Sequence, residues 1–353
     1  MSAQIGPDVF DQPFVVSELL GDLKPQFHPD TAGIEHEVDG WTRPHLEGLG
    51  FSEERSALFL ARRQPWWLIL IYPHGVPDRL VAMGKVIQFM CAYDDLADDM
   101  DAAQVSDRAV SLAKMLALVT SRAPLPASDA LTGMLAQAAR DATADMSPEQ
   151  IARFADAIKK YVESELQVVG VADAGGGFRF QEYRQFRRVN VGTPVYVRVA
   201  DFLLGLSLPE EFFADPDVAE ALALVSEHTA FVNDLVSFGK EIAAGRWQTN
   251  ALAVWHVGEG LGLQASVDRL AAHLRDIQRE LAACVDRIHT GQWADTADLD
   301  RFLTELGLMV AGDVLFEFAT SRYRGDGYVW DGVTSGIATY RTSHFDIRAA
   351  ASH

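Results

Sequence analysis

Over the first forty positions apolar and polar residues follow no sustained period, and Pro, Asp and Gly recur among them. This stretch predicts an extended arm, residues 1–50, packed on the body through Phe14, Phe27 and Trp41. From residue 51 onward apolar positions return at spacings of three and four and hardly stop, as expected of helices with one buried face. Ser52 to Arg63 predicts a short helix, Pro73 and Pro77 break the chain, and Asp78 is placed to cap a helix over 79–99. Ser106 predicts the start of a helix to 121, Pro124 and Pro126 a loop, and 129–143 the next helix. Ser147-Pro148-Glu149-Gln150 joins an N-cap serine, a proline at the first helical position and a glutamine reaching back, and opens a helix to Val169.

Gly175-Gly176-Gly177 reads as a connection, and Gly258 to Gly262 as a turn between helices; no strand precedes either, so neither is a phosphate loop. Two helical pieces, Phe178–Val189 and Val191–Leu206, are interrupted near Asn190–Pro194. A long helix over 217–244 follows, then helices near 248–257, 264–289 and 296–320. No alternating strand pattern and no repeat emerges. The pattern predicts an all-α body of roughly a dozen helices over 51–330, with a C-terminal tail at 331–353.

Within the 79–99 helix, Leu80, Gly84, Ile87 and Cys91 form one stripe, and the same stripe then reaches Asp94 and Asp98. A buried face that ends in two carboxylates, at the negative end of a helix, calls for a cation. Hard divalent cations take oxygen ligands, and Mg²⁺ in particular bridges to phosphates. Asp95 and Asp99 point about 100° away, toward a supporting or solvated position. A second stripe lies in the 217–244 helix, where Asn233, Ser237 and Glu241 stand at i, i+4 and i+8. Amide, hydroxyl and carboxylate oxygens all suit a hard cation, and their combined charge of −1 leaves the metal positive enough to hold an anion.

Composition narrows the partners. The formal net charge is −20 over 353 residues and no basic patch is concentrated anywhere, which excludes nucleic acid and an anionic membrane surface. Cys91 and Cys284 lie far apart, against a disulfide framework or a cysteine-rich zinc site. The longest apolar run, Pro65 to Tyr72, is far too short to span a bilayer. With no basic segment leading an apolar one at the N-terminus, the expected location is cytoplasmic. Whether the chain forms a homodimer stays open.

The two acidic stripes resemble those of the class I terpene synthases (terpene cyclases) of bacterial type. Asp94-Asp95-Leu96-Ala97-Asp98 is similar to their DDxxD motif, and Asn233 to Glu241 matches (N/D)Dxx(S/T)xx(K/R)(D/E) at every constrained position. The resemblance covers about residues 50–330. It implies a single-domain class I terpenoid synthase-like helical bundle around a central active-site cavity. It also implies three Mg²⁺ ions held by Asp94, Asn233, Ser237 and Glu241, with Asp98 binding directly or orienting the site. Arg187 stands 46 residues before Asn233, where the family has a diphosphate-sensing arginine, and Arg322-Tyr323 matches its C-terminal Arg-Tyr pair. The break near Asn190, Val191 and Gly192 falls at the family's helix-breaking effector segment. Relatives often have Asp or Thr where Asn190 stands and Gly where Val191 stands, so which carbonyl acts there is open.

The activity implied is Mg²⁺-dependent ionisation of a linear prenyl diphosphate, a carbon–oxygen lyase reaction, followed by cyclisation to a terpene hydrocarbon or alcohol. Arg187, Lys240, Arg322 and Tyr323 would hold the diphosphate. The wall of the pocket is expected one and two turns below the ligands: Ile87, Met90 and Cys91 on one helix, Ser226, Thr229 and Ala230 on the other. Phe89, Phe186 and Trp330 are the aromatic candidates. Relatives making C15 products often carry Phe three residues before the first Asp, where this chain has Cys91. The larger cavity this suggests puts C20 geranylgeranyl diphosphate ahead of C15 farnesyl diphosphate. Two rival readings remain, a chain-elongating prenyl diphosphate synthase and a non-catalytic all-α binding protein. The Asn/Ser/Glu stripe speaks against the first.

Overall fold

The computed structural model describes residues 9–97, 100, 102–173, 178–245 and 247–350. Sixteen α-helices are named among them: α1 Thr31–Gly48, α2 Glu53–Ala61, α3 Pro65–Ile71, α4 Pro77–Ala97, α5 Ala102–Thr120, α6 Ala130–Ala142, α7 Pro148–Asp173, α8 Phe180–Asn190, α9 Pro194–Val197, α10 Ala200–Leu204, α11 Glu210–Ala214, α12 Pro216–Ala243, α13 Ala251–Ala253, α14 Leu263–Thr290, α15 Leu299–Ala319 and α16 Ser321–Arg324. The fold is helical, as the periodicity predicts. No helix among the described residues is long and apolar enough to cross a membrane.

Local chemistry accounts for most of the boundaries. Ser52 caps α2 by accepting from the Arg55 N–H, and Asp129 caps α6 through Leu131 and Thr132. At the start of α7 the Ser147 hydroxyl accepts from the Gln150 N–H at 3.2 Å while the Gln150 side chain accepts from the Ser147 N–H at 3.0 Å. Asp215 caps α12, with Pro216 at its first position. The apolar run at Pro65 is α3, buried on nearly every side, which marks a core helix.

Three expectations are corrected. The N-terminal arm contains α1, whose buried Ile34, Val38, Thr42 and Leu46 recur every fourth residue and pack into the main core. A threonine within that stripe, glycines beside it and Pro44 inside the helix thin the apolar signal. Ser106 is exposed inside α5, which starts earlier at Ala102, and so caps nothing. The chain also has strands: β1 Pro13–Val16, β2 Gly336–Tyr340 and β3 Phe345–Arg348 form an antiparallel sheet in the order β1-β2-β3, with Val15 opposite Ile337 and Ala338 opposite Ile347. Four or five residues per strand are too few to establish a period of two in sequence.

This sheet joins the two ends of the described chain and packs its buried face (Phe14, Val16, Ala338, Tyr340, Phe345) on α12 and α14. The Tyr340 hydroxyl donates to the Leu235 carbonyl at 2.6 Å. Gly239 allows the close approach, since a Cβ there would lie 3.1 Å from Tyr340. The helices α4, α7, α8, α12 and α15 line a cavity, and the break between α8 and α9 opens onto it. Gly192 makes that break with φ +80°, a conformation that suits glycine. The 248–257 helix is a 3₁₀ turn at Trp247–Thr249, α13 and a π turn at Val254–Gly258. Gly175, Gly176 and Gly177, like Asp98 and Asp99, lie outside the described residues.

Candidate active site

The cavity holds about 250 Å³ and takes its wall from both predicted stripes. From α4 come Ile87, Met90, Cys91 and Asp94; from α12, Thr229, Asn233, Ser237, Lys240 and Glu241. Arg187, Asn190, Val191 and Gly192 enter from the α8 break, and Arg322 and Tyr323 from α16. Residues separated by more than two hundred positions thus converge on one space.

Five pocket expectations do not hold. Phe89 is fully buried on the far side of α4, stacked parallel to Tyr93 at 6.3 Å. Ala230 is fully buried in the core formed with α14. Phe186 stacks on Phe178 at 4.8 Å, and Trp330 packs against the main core; neither lines the cavity. Ser226 does not line it either, and its hydroxyl donates back to the Leu222 carbonyl at 3.0 Å. Phe89, Ala230, Phe186 and Ser226 each sit within a turn of a residue that does line the cavity, so spacing alone could not separate them; Trp330 lies in the loop after α16.

Arg187 is buried and fixed by four acceptors. It donates to Asp234 at 2.7 Å, Asn233 Oδ1 at 3.1 Å, Asn190 Oδ1 at 3.2 Å and the Tyr183 hydroxyl at 3.2 Å. Burial works against its charge, but the Asp234 carboxylate and the neighbouring acceptors outweigh it and raise the pKa, so the guanidinium stays protonated. Asp234, fully buried, also accepts from the Tyr183 hydroxyl and from the Ala251 N–H at 3.0 Å. Asp234 and Tyr183 were not singled out from sequence, although Asp234 is a constrained position of the matched motif.

At the other rim Arg322 donates to Asp94 and, at 3.1 Å, to Asp95. Asp95 also accepts from Arg62, so it is a buried anchor between two arginines rather than a solvated acid. Lys240 joins this cationic group; the charge of Arg322, then burial, lowers its ammonium to about 8. Arg62, at the C-terminus of α2, gave no signal in sequence.

The oxygen atoms on α12 fit a hard divalent cation in kind. Asn233 Oδ1, Ser237 Oγ and the Glu241 carboxylate face the same cavity as Asp94. Ser237 donates to Glu241 at 2.7 Å, and Asn250 donates to the other Glu241 oxygen at 3.0 Å. Burial, then the charge of Asp234, pushes the Glu241 carboxyl up to about 7. A nearby cation is the partner that would favour its ionised form. Among the described residues no three His, Cys, Asp or Glu side chains cluster as a ready-made metal site, so the set relies on the amide and hydroxyl.

The remaining wall was not legible in sequence: the aromatics Trp67, Tyr161, Tyr196 and Phe316 face the cavity, beside Gln64, Val168, Thr193, Thr249 and Glu317. Trp67 meets Tyr196 edge to face at 5.0 Å, and the Tyr196 hydroxyl contacts the Met90 sulfur at 3.5 Å. Glu317, buried on α15, accepts weakly from Asn233 Nδ2 at 3.4 Å. Asn233 Nδ2 also donates to the Tyr323 hydroxyl at 2.8 Å.

Comparison with known proteins places these residues in context. Residues 85–280, more than half of the chain, match the family model described as terpene synthase family 2, C-terminal metal binding. The chain is 23% identical over 306 residues to microbial terpene synthase-like protein 13 of Selaginella moellendorffii, covering 86% of this chain and 85% of that protein. It is 23% identical over 304 residues to the (3S,6E)-nerolidol synthase of the same plant, covering 85% and 81%. Among solved structures, hedycaryol synthase superposes with a TM-score of 0.72 at 17% identity over 86% of this chain and 98% of that one. A second, a-eudesmol synthase, gives 0.72 at 19% identity over 85% and 98%. The structural likeness is one of fold.

Proposed function

The chain belongs to the terpene synthase family and is an enzyme of that class, a carbon–oxygen lyase acting on phosphates; from this premise we propose that it is a Mg²⁺-dependent cyclase of farnesyl diphosphate. The observation that carries the proposal is the convergence of Asp94, Asn233, Ser237 and Glu241 with Arg187, Lys240, Arg322 and Tyr323 in one cavity that is also lined by Trp67, Tyr161, Tyr196 and Phe316. Acceptors for a cation and donors for an anion share that cavity with the aromatic and aliphatic side chains an apolar chain needs.

In this reading Asp94, Asn233, Ser237 and Glu241 hold Mg²⁺, three ions being expected, which supplies Lewis-acid pull on the departing diphosphate. Arg187 and Arg322 present guanidinium forks to phosphate oxygens, and Lys240 adds a point charge. The Tyr323 hydroxyl donates beside them. Arg322 spends its donors on Asp94 and Asp95 in this structure, so an arriving diphosphate competes with those two acids for it. Trp67, Tyr161, Tyr196 and Phe316 exclude water from the allylic cation and offer it their ring faces.

The choice of C15 over C20 follows from the wall. Cys91 stands where relatives often carry Phe, but the large side chains of Met90, Tyr161 and Tyr196 line the same cavity and narrow it. The resulting 250 Å³ lies just below the 300–1,000 Å³ usual for ligand pockets. Two similar fungal proteins are named sesquiterpene synthases, from Piloderma croceum and Postia placenta. The test is to incubate the purified chain and Mg²⁺ with the C10, C15 and C20 diphosphates and separate the products by gas chromatography. Cyclised C15 product is expected. Turnover of the C20 substrate alone would overturn the chain-length assignment, and no product from any of the three would overturn the cyclase reading.

A further inference from the structure

Behind the aromatic wall, and outside the cavity lining, lies a carboxyl that the proposed chemistry does not use. Asp313 on α15 is fully buried. Its Oδ1 accepts from the Trp67 indole N–H at 2.8 Å, while its Oδ2, also buried, has no hydrogen-bond partner among the described residues. Trp67, on α3, lines the cavity. Among the described residues no arginine or lysine pairs with Asp313, and a buried carboxyl is costly unless hydrogen bonds repay it.

The surrounding packing makes this a rigid mount. Gly312 lets α15 press directly on α3, because a Cβ there would collide with the Leu70 carbonyl. The Trp67 ring, held at its N–H, stands edge to face with Tyr196, and Tyr196 in turn contacts Met90. The Tyr72 hydroxyl donates to the Tyr196 carbonyl at 3.1 Å and fixes that residue from behind. One carboxyl therefore sets the tilt of an indole on which a second ring and a methionine lean.

We propose that Asp313 is a positioning residue for product specificity: through Trp67 it fixes the contour of the cavity wall that folds the allylic cation, and so decides which ring closure follows ionisation. This rests on the cyclase reading above. Asp313 touches neither the candidate metal ligands nor the diphosphate donors, so its removal leaves ionisation in place and changes the fate of the cation.

The experiment compares wild type with Asp313→Leu, Asp313→Asn and Trp67→Phe, each with farnesyl diphosphate and Mg²⁺, measuring diphosphate release, KM and the product profile. Asn keeps the shape and an acceptor oxygen; Leu removes the acceptor; Phe keeps a ring but removes the donated N–H. Asp313→Leu and Trp67→Phe are expected to lower the ratio of main cyclic product to acyclic and early-quenched products by about tenfold. KM of Asp313→Leu stays near the wild-type value, and Asp313→Asn restores the wild-type profile. A folded Asp313→Leu variant with the wild-type product ratio overturns the proposal, as does an Asp313→Asn profile as altered as that of Leu. If Asp313→Leu does not fold, Trp67→Phe decides, and an unchanged profile there overturns it. Failure of wild type itself to turn over any prenyl diphosphate counts against the cyclase reading and is seen before any variant is compared.

Discussion

The Arg187 guanidinium donates to the Asn233 amide oxygen at 3.1 Å, and so ties a candidate diphosphate donor on α8 to a candidate metal ligand on α12. The 46-residue interval between them in sequence becomes a direct contact in space. Asp234 completes the link, held by Arg187 at 2.7 Å and by the Ala251 N–H at 3.0 Å. Cation and anion subsites are thus built as one hydrogen-bonded unit.

Removing Arg187 should cost stability as well as activity. Arg187→Met leaves Asp234 buried without its cation, and breaking a buried pair from one side typically costs about 3–5 kcal/mol. Urea denaturation checks this. A loss below about 1 kcal/mol would mean that Tyr183 and Ala251 suffice to hold Asp234.

Acid should loosen the contact between α8, α12 and α14 over a defined window. Burial alone would raise the Glu227 carboxyl, but hydrogen bonds from His273 and Arg184 and the charges of Arg188 and Arg184 hold it down to about 2, against an ordinary value of 4.5. The folded value lies below the unfolded one, so this stabilisation is complete above pH 4.5 and is lost as pH falls toward 2. The shift corresponds to about 3 kcal/mol. Glu227→Gln should be less stable near neutrality and show a flatter stability profile between those two pH values; an unchanged slope would rule out this linkage.

Gly312→Ala should destabilise through overpacking. The new methyl meets the Leu70 carbonyl, a backbone atom that cannot rotate away. The expected loss is about 1–3 kcal/mol by denaturant titration. Wild-type stability would show that α3 and α15 can separate without penalty.

Much of the candidate site was legible because its chemistry is local to helices. Asp94 and the Asn233, Ser237 and Glu241 stripe stand at helical spacings and carry oxygens where apolar residues would be expected. Arg187 and Arg322 were found through their distance from those stripes and from a matched motif. The supporting residues were not legible, since their meaning arises only on packing. Arg62 is one surface-type arginine among many until it meets Asp95, and Tyr161, Tyr196 and Trp67 are ordinary helix-face aromatics until the bundle closes. In the fold, α1 was hidden by Pro44 and its diluted stripe, and the terminal sheet by strands too short to show a period and paired across the whole chain. The opposite error, Phe89 and Ala230 assigned to the pocket, came from neighbouring positions on helices that are buried nearly all round.

The oxygen stripe of α12 is tested most directly by product formation from farnesyl diphosphate and Mg²⁺ in wild type and in Asn233→Leu, with melting temperatures measured beside it. The substitution removes one ligand oxygen from a half-buried position on α12. The expected result is a fall in turnover of about 10²–10³-fold or more, the scale of losing one charge-stabilising group, with the fold retained. A folded Asn233→Leu variant that makes the same products at a rate near wild type would contradict the metal role of this helix.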